Sequence, residues 1–267
     1  MLNNMNNKFR AIQVEELEGG ALWRLQINNP PVNLLTIKII DEIAGCIDLF
    51  GQSRQARVLV FTSGLEKFFI AGADPEEINS ISSPEDGFVT AKRGQDLCSK
   101  IAALEKPVIA AIDGACIGGG NEIAIACHMR IASDKAVFQQ PEIHLGIIPA
   151  FGGTQRLGRL IGESRAKKMI LTGEKISAKD ALLFGLIDQL VSERSALDES
   201  LRIARVMLSK SPTAIKLAFK ALNKGAALSL SDGLAIELEC FREVCKNSNM
   251  KEALNAFKER RRPIFEP

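Results

Sequence analysis

Ile109-Ala110-Ala111-Ile112-Asp113-Gly114-Ala115-Cys116-Ile117-Gly118-Gly119-Gly120-Asn121-Glu122 runs from an apolar strand, through glycines, into a second apolar run that carries Glu122. Twenty residues further on, Phe138-Gln139-Gln140-Pro141-Glu142-Ile143 carries a second carboxylate. Both glutamates stand among residues that belong in an interior, where an unpaired carboxylate is costly. A strand, a glycine turn and an apolar helix in succession also set the fold class, a mixed α/β core.

Working outward, residues 9–14 and 21–27 read as strands joined by a Glu18-Gly19-Gly20 turn. Residues 37–50 show a helical period in Ile40, Ile43, Ala44, Ile47 and Phe50. Val58-Leu59-Val60-Phe61 is a short strand, and Phe68-Phe69-Ile70 runs into the small-residue turn Ala71-Gly72-Ala73-Asp74. Residues 84–105 read as a loop and helix, 123–131 as a helix buried on all sides, and 136–138 as a strand. Ser177 caps a helix over 177–184. Residues 195–209, 212–224, 230–246 and 249–260 read as four helices. The expected organisation is a core over 1–194 and a C-terminal helical subdomain over 195–267.

The 267 residues are 46% hydrophobic with net charge +2, so composition points to neither nucleic acid nor an acidic membrane as partner. No apolar run approaches the roughly 20 residues that span a bilayer. The Asn-rich residues 1–10 lack the apolar stretch of a secretory signal and read as a frayed tail. Six cysteines without a Cys-x-x-Cys pair suit a reducing, cytoplasmic compartment. With only His128 and His144, neither at ligand spacing, no metal site is expected.

The glycine run opening a helix leaves amide N–H groups free, where negative charge is favoured. It is no phosphate loop, since no Lys-Ser/Thr follows. Glu122 also fits a first-turn acid facing the helix dipole, and Glu142 a solvated loop acid. Two glutamates beside one ligand can divide the roles of general base and general acid. Glycoside hydrolysis would use such a pair too, but one Trp and no Tyr leave little to stack a sugar on. The turn at Ala73 and the turn at Gly119 could together offer two N–H donors to one oxygen. Asp74 reads equally as a helix cap. His128 reads as a helix-end or core histidine that nothing orients.

Ala71-Gly72-Ala73-Asp74, Gly118-Gly119-Gly120-Asn121-Glu122, Gln140-Pro141-Glu142-Ile143 and Ile148-Pro149-Ala150-Phe151-Gly152-Gly153-Thr154-Gln155-Arg156-Leu157, in that order, resemble the crotonase (enoyl-CoA hydratase/isomerase) superfamily. Leu171-Thr172-Gly173, Gly185-Leu186-Ile187-Asp188 and Ala256-Phe257-Lys258-Glu259-Arg260-Arg261-Arg262-Pro263 extend the match over nearly the whole chain. The resemblance implies a spiral core of short-stranded stacked sheets and helices, and an acyl-CoA thioester substrate with no separate cofactor.

It further implies a thioester oxygen held between the N–H groups of Ala73 and Gly119. Glu122 and Glu142 match both acids of the hydratase subgroup: Glu122 activates water and Glu142 protonates the α-carbon. By the same match Lys67, Ala71, Asp74 and Gly118 lie along the CoA thioester. Phe257 and Arg260 contact CoA, often from a neighbouring subunit of a trimer or dimer of trimers. The chain departs from the family at Pro75-Glu76, where Leu/Ile-Lys is common, and at Asn121, where Cys is more usual. Asn29-Pro30-Pro31-Val32-Asn33 resembles the hydratase/isomerase half of multifunctional β-oxidation proteins, and the sequence ends before any dehydrogenase half.

The first expectation is therefore a 2-enoyl-CoA hydratase. The alternatives are a Δ3,Δ2-enoyl-CoA isomerase, which typically keeps only the acid matching Glu142, or a hydratase of a cyclic dienoyl-CoA. A few superfamily members bind AU-rich RNA, but the matching helix carries Asp41, Glu42 and Asp48 beside Lys38. A noncatalytic trimerising scaffold would have no use for both acids.

Overall fold

A computed structural model describes residues 9–192, 195–226 and 228–266. The tail read over 1–10 lies, through residue 8, outside the described residues. One sheet has six strands, β1 (Ile12–Leu17), β2 (Leu22–Ile27), β3 (Val58–Ser63), β5 (Val108–Ile112), β7 (Met129–Ser133) and β10 (Gln189–Val191), adjacent in that order. Only β1 runs antiparallel to its neighbour. A second sheet orders β4 (Phe68–Ile70), β6 (Ala115–Ile117), β8 (Val137–Gln139) and β9 (Lys175–Ser177), with β4, β6 and β8 parallel. The chain crosses from the first sheet to the second three times, at β3–β4, β5–β6 and β7–β8. This is the spiral of stacked short-stranded sheets that the resemblance implies.

Helices α1 (Ile37–Gln52), α2 (Pro75–Asn79), α3 (Pro84–Ala103), α4 (Gly119–Ala126), α5 (Gly153–Ile161), α6 (Glu163–Thr172) and α7 (Ala178–Phe184) pack around these sheets. Helix α1 starts where the Thr36 hydroxyl accepts from the Ile39 amide. Its apolar stripe of Ile40, Ile43, Ile47 and Phe50 enters the main core, with Phe50 tilted on Trp23 at 5.8 Å between ring centroids. The other face of the larger sheet buries Leu22, Val58, Val60, Ile109 and Ile131 beneath Ala196 and Ala204 of α8 (Ala196–Leu208). Helices α9 (Pro212–Gly225) and α10 (Leu230–Cys245) pack on each other, with Gly225 and Gly233 face to face, and α11 (Ser248–Lys258) follows. Among the described residues no helix is long and apolar enough to cross a membrane.

Two sequence expectations change. The first strand lies at Ile12–Leu17, a few residues later than 9–14. The buried helix expected over 123–131 stops at Ala126, because Cys127 turns to an extended backbone (φ −68°, ψ 155°) and Met129–Ser133 enters the large sheet between β5 and β10. A run that is apolar on all sides has no periodicity to separate a buried helix from a buried strand. Arg130 locks the switch: its guanidinium donates to the Cys127 and Leu186 carbonyls and to Asp188. His128 is half-buried just before β7, and it is oriented. Its Nδ1 accepts from the Val108 amide at 3.0 Å, and its ring meets Phe219 edge-on.

Candidate active site

Three neighbouring parallel strands, β4, β6 and β8, end side by side, and each exit carries part of the site. Ala71–Asp74 (residues 71–74) leaves β4, Gly118 and Gly119 leave β6, and Gln140 to Glu142 (residues 140–142) leave β8. Gly72 and Gly118 turn with φ +100° and +53°, a region L side chains avoid. A Cβ on Gly118 would stand 3.7 Å from the Gly72 Cα and 2.8 Å from Glu142 Oε1. The two glycine turns and the second acid therefore converge on one point.

The backbone accounting around that point is specific. Leu35 bridges across Ala73, donating to the Gly72 carbonyl at 2.8 Å and accepting from the Asp74 amide at 3.0 Å. The Ala73 N–H is thus left out of the ladder. Gly119 is the first residue of α4, so no carbonyl within the helix can reach its N–H. Among the described residues neither amide has a backbone acceptor outside its own element. Asn33 braces this wall from behind. Fully buried, it donates to Ser63 Oγ and the Phe69 carbonyl, and its Oδ1 accepts from the Asn29 amide at 2.6 Å.

Glu122 sits in the first turn of α4, whose eight residues are all buried, and is itself 2% exposed. Its Oε1 accepts from the Phe151 amide at 2.8 Å and the Gly153 amide at 2.6 Å. Arg156 steadies that loop by donating to the Phe151 carbonyl at 3.0 Å and to Ser99 Oγ at 3.2 Å. Glu142 opens a short 3-10 turn, and its Oε2 is buried without a partner among the described residues. Burial pushes the Glu122 carboxyl up to about 7, against the pull of the Gly153 amide, with the Glu142 charge adding to the rise. Burial raises Glu142 as well. Both shifts favour the protonated acid over the ordinary carboxylate, which suits groups that must hold and move protons in one site.

Glu122, Glu142, Ala73, Gly118, Gly119 and Ala71 are thus brought together. Asp74 adjoins them, but its side chain accepts from the Glu76 amide and caps α2. Glu77 serves structure as well, accepting from the Ile37 amide at the start of α1. Lys67 is exposed just before β4. Phe257 and Arg260 stand apart on the C-terminal helix and its end, Phe257 82% exposed. The residues that sequence reasoning missed are those holding Glu122, the amides of Phe151 and Gly153 and the side chain of Arg156. The glycine pair after Phe151 was their visible signal. Among the described residues no group of three His, Cys, Asp or Glu side chains could hold a metal ion.

A sequence model of a family described as "Enoyl-CoA hydratase/isomerase" matches residues 18–267. The chain is 39% identical over 242 residues to a "Probable enoyl-CoA hydratase" of Bacillus subtilis, covering 90% of this chain and 93% of that protein. It is 39% identical over 250 residues to a "Short-chain-enoyl-CoA hydratase" of Clostridium acetobutylicum, covering 91% and 93%. Among solved structures, an enoyl-CoA hydratase from Bacillus anthracis superposes with a TM-score of 0.91 at 33% identity, covering 96% of this chain and 99% of that one.

Proposed function

Since the chain belongs to the enoyl-CoA hydratase/isomerase family, we propose that it is a hydro-lyase that adds water across the α,β double bond of a 2-enoyl-CoA, giving a 3-hydroxyacyl-CoA. The observation that carries this reading is that Glu142 meets the Gly72 and Gly118 turns, beside two free amides, while buried Glu122 stands in the first turn of the helix that Gly118 opens. The thioester oxygen lies between the N–H groups of Ala73 and Gly119, and negative charge grows on it as the β-carbon is attacked. Losing one such donor costs about 2.7–4 kcal/mol of barrier. Ionised Glu122 takes a proton from the attacking water, whose oxygen bonds to the β-carbon. Protonated Glu142 gives its proton to the α-carbon, and exchange with solvent then returns Glu122 to the ionised and Glu142 to the protonated form. One water is consumed, and CoA is the only carrier the reaction uses.

A Δ3,Δ2 double-bond shift needs one acid that moves a proton between carbons, and offers no task for a second buried carboxyl. An RNA-binding role finds no support on α1, where Asp41 and Asp48 pair with Arg93 and Lys100 of α3. We also assign Lys67, Ala71, Asp74 and Gly118 to the CoA side of the site. Phe257 and Arg260 would contact CoA bound to a neighbouring subunit. A trimer or dimer of trimers gives those residues that reach. It would also cover Leu222, Leu230, Leu238 and Phe241, all more than 60% exposed on α9 and α10. The six unpaired cysteines suit the cytoplasm. Light scattering tests the assembly, and a monomer would remove the cross-subunit role. The activity test is hydration of crotonyl-CoA by the wild type and by Glu122→Gln and Glu142→Gln. Each variant should lose about 10²–10⁴-fold in rate. Full activity in either would contradict the two-acid mechanism.

A further inference from the structure

Asn121 stands immediately before one acid and Gln140 two residues before the other, and both are buried to within 1%. Their side-chain amides meet at 3.2 Å. An amide's orientation follows from its neighbours. With the Gln140 NH2 facing α4, its nitrogen has the Gly118 carbonyl at 3.1 Å and the Asn121 amide at 3.2 Å. Turning Asn121 likewise sets its oxygen opposite that NH2. The Asn121 Oδ1, unpartnered as placed among the described residues, then accepts from Gln140, and the Asn121 NH2 takes its former position.

The Gly118 carbonyl and the Gly119 N–H belong to one planar trans peptide and point in opposite directions. The Glu122 amide already holds that carbonyl at 2.9 Å, and Gln140 holds it a second time. A glycine at φ +53° and ψ −122° is free to let the peptide rotate. A rotated peptide would present a carbonyl where the oxyanion must form. The two amides oppose that rotation.

We propose that Asn121 is a positioning residue for the proposed oxyanion hole. Acting through Gln140, it fixes the Gly118–Gly119 peptide so that the Gly119 N–H faces the thioester oxygen. The inference rests on the hydratase reading and adds to it a task for the residue at which this chain departs from the common Cys.

The test uses the full-length protein and two near-isosteric variants, Asn121→Leu and Gln140→Met, singly and together. Two readouts follow carbonyl polarisation. One is the absorption of bound 4-aminocinnamoyl-CoA, whose band moves to longer wavelength as its carbonyl is polarised. The other is kcat separated from KM on crotonyl-CoA. Each single variant should weaken the band shift and lower kcat about tenfold, a fraction of what losing a donor outright removes, with KM little changed. Because Asn121 acts through Gln140, the double variant should be no worse than Gln140→Met alone. If Asn121→Leu does not fold, Asn121→Ser takes its place. A folded Asn121 variant with the wild-type band shift and kcat overturns the inference, as does a fully additive double variant. A wild type that neither shifts the probe nor hydrates crotonyl-CoA overturns the hydratase reading instead.

Discussion

Glu122 Oε1 lies 2.6 Å from the amide nitrogen of Gly153, thirty-one residues later in the chain. That contact ties the helix leaving β6 to the loop opening α5, and the Phe151 amide doubles it at 2.8 Å. The two N–H groups favour a carboxylate, while burial favours the neutral acid and prevails, lifting the group to about 7. A carboxyl so placed takes and gives protons near neutral pH.

Activity should follow that titration. If Glu122 must be ionised to take a proton from water, kcat/KM on crotonyl-CoA should fall about tenfold per pH unit on the acid side of about 7, and should fall again at higher pH where Glu142 loses the proton it has to give. Initial rates across pH measure this. A limb centred near the ordinary 4.5 would remove Glu122 from the role of base.

Stability should carry the same signature. The folded-state pKa of Glu122 is raised from 4.5 to about 7. The advantage of keeping it neutral is therefore complete below 4.5 and is lost as pH rises through about 7. The charge buried above that range destabilises the fold by about 3 kcal/mol. Glu122→Gln carries no such penalty. Its melting temperature relative to wild type should rise from about pH 5 to about pH 8. A constant difference would mean that Glu122 titrates normally.

Gly118→Ala should damage chemistry more than folding. The φ of +53° makes the substitution strained, at about 1–3 kcal/mol. The new methyl would also stand 2.8 Å from Glu142 Oε1 and push the acid aside. Denaturant unfolding gives the first effect. Turnover under conditions where the variant stays folded gives the second, with a loss of at least about 10²-fold. Near-normal turnover would mean that Glu142 does not need its present place.

Gly94→Ala tests the support of Glu122 from a distance. Gly94 lies on α3, and a Cβ there would meet the Phe151 ring at 2.0 Å. Relieving that overlap should cost about 1–3 kcal/mol of stability and shift the loop whose amides hold Glu122. The pH limb assigned to Glu122 should then move. An unmoved limb in a destabilised variant would show that the loop holds Glu122 without Phe151.

Much of this arrangement is legible in the sequence because its parts are local. The glycines at 118–120, the Ala71–Asp74 turn (71–74) and the cap at Ser177 depend on neighbours a few residues away. The strand at Met129–Ser133 is not legible, because sheet pairing with β5 and β10 decides it and the local pattern is apolar on every side. The bracing of Glu122 by Phe151 and Gly153 depends on a contact made only once the loop before α5 folds back over α4. The acids announced a reaction, whereas what tunes them comes from tertiary structure. Two of the acidic residues at 74–77 have tertiary or capping work of this kind: Asp74 caps α2, and Glu77 accepts from the Ile37 amide at the start of α1.

The most direct measurement is the loss of the conjugated thioester absorbance of crotonyl-CoA, with the product confirmed by mass as substrate plus one water. Wild type should remove that absorbance rapidly, and Glu122→Gln and Glu142→Gln should each be slower by about 10²–10⁴-fold while still folded. No water addition by the wild type, or undiminished addition by either folded variant, would contradict the two-acid mechanism.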